Sequence, residues 1–241
     1  GTYTWSRALG GILIDRAEAV AVDGADDVIV TGYFAHLVDF GGGVLSSTGG
    51  YDGFVAKYSG VDASHRWSRR FGGTGTDVAH ALALDGAGHA VVTGWFDGTA
   101  DFGGGPRTSA GLQDIFVATY SGASGAHTSS RRFGDVGYDN GFGVKVDGAG
   151  NVILAGSFSN AVDFGGGPLT SAGGSDAFVA KLTSAGIHRW SQRFGHANQE
   201  QANALAVDPG GHIAVTGLFY TTFGVLPGFG STDIFLMRLD P

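Results

Sequence analysis

Short runs in which apolar and polar residues alternate fill the chain, and one pair of runs returns four times. Residues 81–96 read ALALDGAGHAVVTGWF. The same pattern stands at 19–34 as AVAVDGADDVIVTGYF, at 143–158 as GVKVDGAGNVILAGSF and at 204–219 as ALAVDPGGHIAVTGLF, at offsets of 62, 62 and 61 residues. Period-two alternation predicts half-buried strands, and the Asp-Gly-rich centre of each copy predicts a hairpin turn. In the second copy the full period predicts four strands: Val78–Leu84, Ala90–Phe96, Asp114–Tyr120 after the Gly-rich connection 97–113, and His127–Phe133. Four consecutive antiparallel strands per repeat make one propeller blade. The expected fold is therefore all-β, a single domain over residues 1–241 built as a β-propeller of four four-stranded antiparallel blades.

The phase of the repeat predicts how the ring closes. The opening TYTWSRALG matches a fourth strand and the closing DIFLMRLDP matches a third, so Thr2–Leu9 is expected to pair with Asp233–Leu239 and complete the last blade. The alternative is that these blades form part of a seven- or eight-bladed ring. A stripe of small residues on the innermost strand, Ala79, Ala81 and Ala83 with their equivalents and Lys145 as the exception, suits close approach around a narrow axis.

Three segments carry a resemblance: the core pattern above, DAFVAKL at 176–182 and WSRRFG at 67–72. Together they resemble a bacterial β-propeller repeat family, often labelled seven-bladed, seen in secreted and surface proteins of myxobacteria and their relatives. The resemblance covers essentially the whole chain. It implies the fold and an extracellular or cell-surface setting, and it carries no catalytic residues and no agreed ligand. Four repeats depart from the family's label.

Composition narrows the function classes. The 45 glycines without a collagen period fit tight turns between short strands. A formal charge of −8 argues against nucleic acid or anionic lipid as partner, and no apolar run is long enough for a membrane-inserted helix. Without cysteine there are no disulfides or thiolate metal sites.

Repetition also sorts the polar residues. Asp23, Asp85, Asp147 and Asp208, the set Asp52, Asp114, Asp176 and Asp233, and Asp39, Asp101 and Asp163 recur in every copy or nearly so, and read as turn caps. His65, His127 and His188 read as structural, Trp5, Trp67 and Trp190 as packing between blades, and the paired arginines Arg69–Arg70 and Arg131–Arg132 as solvated edge residues. Asp15, Asp77, Asp139 and Glu200 precede each innermost strand. They either cap their own loops or converge at a tunnel mouth, where a hard cation such as calcium would hold them together. Positions that differ between repeats are the candidate ligand contacts: Glu18, His80, Phe142 and Asn203 at one place, Tyr33 and Trp95 (with Ser157 and Leu218) at another. No nucleophile elbow, zincin, P-loop or dinucleotide motif is present. The expected function is thus a non-enzymatic extracytoplasmic binding or structural module for a protein or glycan. One alternative is a hydrolase or lyase with His80 as base and Glu18, Asp15 or Asp77 as partner; the other is a cation-stabilised scaffold.

Overall fold

The computed structural model describes residues 1–224 and 226–241; Val225, within the fourth long connection, lies outside them. The chain is all-β, and its strands form four similar antiparallel units. The first unit comprises Asp15–Val22, Val28–Phe34, Asp52–Tyr58 and His65–Gly73, each paired with the next. The second comprises Asp77–Leu84, Ala90–Phe96, Asp114–Tyr120 and His127–Phe133, and the third Asp139–Val146, Val152–Phe158, Asp176–Leu182 and His188–Phe194. The fourth unit has three strands: Glu200–Val207, Ile213–Phe219 and Asp233–Leu239.

Three expectations need correction. Each long connection folds into a small hairpin of its own, such as Thr99–Asp101 with Pro106–Thr108, so a repeat holds more than four strands. The first of these hairpins to follow a complete sheet joins it, Gly72 and Gly73 of repeat one pairing with Asp101 and Ala100 of repeat two. Second, the expected pairing of Thr2–Leu9 with Asp233–Leu239 is not made: residues 1–11 carry no strand, and among the described residues Asp233–Leu239 pairs with Ile213–Phe219 alone.

The third correction concerns the small-residue stripe. In every repeat the register of the first strand slips by one residue, between Ala17 and Ala19, Ala79 and Ala81, Gly141 and Gly143, and Ala202 and Ala204. The residue left over is Glu18, His80, Phe142 or Asn203. A β-bulge sets two residues against one and moves the rest of the strand to the other face. Ala79 therefore packs towards repeat one with Leu82, whereas Ala81 and Ala83 pack towards repeat three. The bulge also accounts for the glycine of each V-T-G or L-A-G pattern. A Cβ on Gly94 would lie 1.9 Å from the Val78 carbonyl oxygen, and the same close approach recurs at Gly32, Gly156 and Gly217.

The cores lie between units. One cluster joins Ile29, Val55, Trp67 and Phe71 of repeat one to Leu82, Val92, Phe116 and Tyr120 of repeat two, and equivalent clusters occupy the next two seams. Trp67 is indeed an inter-repeat residue, its Nε1 donating to Gly122 O at 3.1 Å. The arginines do more than solvate an edge. Arg69 donates to Gly125 O at 3.0 Å and to Ser124 O at 2.7 Å in the next repeat. Arg70, Arg132 and Arg193 form ion pairs with the fully buried Asp52, Asp114 and Asp176.

Candidate functional site

Most of the recurring aspartates are turn caps. Asp85 Oδ1 accepts from Ala87 N and His89 N, both at 2.9 Å, and Asp101 Oδ1 accepts from Gly103 N at 2.7 Å and Gly105 N at 3.0 Å. The equivalent bonds recur in the other repeats. The three histidines are structural too: the rings of His65, His127 and His188 lie against the middle glycine of the preceding Gly-Gly-Gly turn.

Asp15, Asp77, Asp139 and Glu200 do not converge. Each accepts a backbone N–H from four residues earlier: Gly11 at 2.5 Å, Gly73 at 2.8 Å, Asp135 at 2.9 Å and His196 at 2.9 Å. Three of them lie against the same glycine as the aspartate that opens the third strand of the preceding repeat. A Cβ on Gly134 would lie 2.7 Å from Asp139 Oδ2 and 3.0 Å from Asp114 Oδ1, and Gly72 and Gly195 are hemmed in likewise by Asp52 with Asp77 and by Asp176 with Glu200. Burial pushes the Asp77 and Asp139 carboxyls up to about 7, the neighbouring aspartate adding to the effect, and it raises Glu200 as well. Among the described residues no three His, Asp or Glu side chains gather as a metal-binding group.

The bulge residues do come together. The first strands lie side by side from repeat to repeat, and they enclose an open groove of about 260 Å³ lined by His80, Phe142, Lys145 and Asn203 with the flanking Val20 and Leu82. The His80 and Phe142 rings stand 5.2 Å apart at 50°. A bulge re-aims the side chain that it carries, which explains why four chemically unrelated residues occupy the same place. Glu18 is set aside from the groove by Arg16, whose Nε lies 2.9 Å from Glu18 Oε1. Tyr33 pairs with Arg16 across the first two strands and packs against Tyr51 at 5.0 Å. Trp95 touches the groove from behind, its Nε1–H donating to His80 Nε2 at 3.2 Å.

That bond bears on acid–base chemistry. Desolvation, helped by the nearby Arg16 charge, lowers the His80 pKa to about 4, so the ring is neutral at pH 7 and its Nε2 lone pair is engaged by the Trp95 indole. Its hydrogen bond goes to Trp95, not to Glu18, Asp15 or Asp77. Composition and spacing do not single out Lys145 as a groove residue or Arg16 as the partner of Glu18. Lys145 is signalled only as the one long side chain in a stripe of small ones, and Arg16 carries no signal because its cross-strand partner Tyr33 is known only once the first two strands pair.

No family model matches the chain. A stretch of 154 residues, 62% of this chain, is 30% identical to the Regulatory protein FlaEY of Caulobacter vibrioides, and the match spans 15% of that protein's length.

Proposed function

We propose that the repeats are propeller blades and that the chain is a non-enzymatic binding module acting outside the cytoplasm, with the axial groove taking a glycan. One observation carries this reading. In every repeat the first strand bulges at a position where the repeats share no chemistry, and His80, Phe142 and Asn203 from that position line one groove. Two tilted rings offer an apolar surface to the face of a sugar, while the Asn203 amide and the Lys145 ammonium offer hydrogen bonds to its hydroxyls. The blade pattern and its resemblance to secreted repeat proteins support the fold and the compartment. Similarity to a protein described as regulatory supports interaction over catalysis.

Screening on a glycan array, followed by titration calorimetry with the best binder, tests the proposal. Phe142→Ala and Asn203→Ala are each expected to weaken binding about tenfold, the cost of losing a central contact. Both residues lie at the groove surface, so their loss leaves the seams intact. Binding unchanged in both variants would move the site to the long connections, and turnover of the glycan would replace the binding role with a catalytic one.

A further inference from the structure

We propose that the glycan in the axial groove is an acidic one, its carboxylate or sulfate held by Lys145 and by N–H donors of His80 and Asn203; this rests on the reading of the groove as a glycan site.

Charge is the first observation. The chain carries 22 acidic residues against 14 basic ones. Yet among the described residues no Asp or Glu lines the groove, and Lys145 is its one ionised side chain. Glu18, the acid at the bulge position of repeat one, pairs with Arg16 and is not part of the lining. The other two lysines of the chain are engaged: Lys57 Nζ lies 2.6 Å from Asp23 Oδ2, and Lys181 Nζ lies 3.0 Å from Asp147 Oδ2. Lys145 is exposed and makes no ion pair among the described residues. Alanine takes its place in the other three repeats, as Ala21, Ala83 and Ala206, so the strand itself does not require a long side chain there. A cleft with charge of one sign and apolar walls concentrates the field of that charge, here on an anion.

Hydrogen-bond polarity is the second observation. An indole N–H only donates, so His80 Nε2, which accepts the Trp95 bond at 3.2 Å, carries no proton. The ring is neutral at pH 7, and its proton is therefore on Nδ1, where nothing accepts it among the described residues. The exposed Asn203 amide adds two more N–H groups. Ammonium, imidazole N–H and amide N–H are all donors, and an ionised oxygen group only accepts. The hydroxyls of a neutral sugar donate as well. Among the groove's side chains they would find one open acceptor, the Asn203 carbonyl oxygen. The tilted rings of His80 and Phe142 remain for the apolar face of the sugar.

Titration calorimetry with matched pairs of oligosaccharides tests this: galacturonates against the same sugars with their carboxyls reduced to alcohols, and sulfated galactans against desulfated ones. The wild type is expected to bind at least one acidic member about fivefold more tightly than its neutral counterpart at low salt, the strength of an exposed ion pair, and the two pairs tell carboxylate from sulfate. The preference is expected to fade at about 1 M salt, where screening is nearly complete. Lys145→Met is expected to abolish the preference while leaving the neutral sugar's affinity unchanged, and Lys145→Arg to retain it. Lys145 is exposed, so both variants fold. Equal affinity for the members of both pairs overturns the acidic-glycan proposal and leaves the glycan reading standing. So does a preference that persists in Lys145→Met. Binding of neither member of either pair overturns both.

Discussion

Gly94→Ala is expected to lower the stability of the chain by about 3 kcal/mol, the upper end of what overpacking costs. The added methyl would lie 1.9 Å from the Val78 carbonyl oxygen and 3.0 Å from Ala79 Cα, both backbone atoms that no rotamer change can move. Relief requires the first and second strands to part at the bulge. That displacement propagates to Val92 and Leu82, which are packed in the seam with repeat one, and to the Thr93 hydroxyl that donates to Phe116 O at 2.6 Å. Gly86→Ala in the hairpin turn serves as the control. A Cβ there meets nothing within 4 Å, and the change is expected to shift stability by less than about 0.5 kcal/mol. Urea unfolding of both variants reads the difference. Equal stabilities would mean that the bulge is not a fixed feature of the strand, and the groove built on it would lose its basis.

Arg132→Ala is expected to cost about 3 kcal/mol at pH 8, because it leaves the fully buried Asp114 beside Asp139 without its cation. Protonation moderates the loss. The Asp139 carboxyl is raised from its ordinary value of 3.8 to about 7, chiefly by burial, so between these values the folded chain holds a proton that the unfolded chain has released. The stabilising proton is fully present below the lower value and is lost as the pH rises through about 7. Stability from this group therefore falls with rising pH, and Asp77 acts in the same direction. Histidines oppose it. His80, His65 and His127 have lowered values, so their contribution rises with pH as the unfolded chain loses its imidazolium protons.

Comparison with Asp139→Asn separates the two effects. The amide keeps the Asp135 N–H bond with its oxygen and stays neutral beside Asp114 at every pH. The stability of this variant relative to wild type is expected to grow by on the order of 2 kcal/mol between about pH 4 and about pH 7, then to level off. The same substitution is expected to recover part of the Arg132→Ala loss at pH 8. A difference independent of pH would show that Asp139 is ionised throughout, and the carboxyl pairing at the seam would be wrong as described.

The parts legible in the residue order are those whose physics is local. Strands and hairpin turns followed from period-two alternation and from Asp-Gly centres, because Asp85 caps N–H groups only two and four residues away. The assignment of Asp15, Asp77, Asp139 and Glu200 is open between loop caps and a convergent cluster for the same reason: the cap is local and visible, whereas the carboxylate beside Asp77, Asp139 and Glu200 belongs to the preceding repeat. Variation at Glu18, His80, Phe142 and Asn203 was also visible, since repeats inside one chain can be compared position by position.

Only the tertiary structure decided which face each residue joins. A one-residue slip leaves no mark in an Ala-x-Ala-x-Ala pattern, yet it sends Ala79 to one seam and Ala81 to the next, and it turns His80 and Phe142 into the same groove. The same is true of the chain ends. The residues of 2–9 match a fourth strand equally well whichever sheet they would join. Their seat on Gly60 and Ala63 arises from interactions more than fifty residues apart, between surfaces that exist only once repeat one has folded.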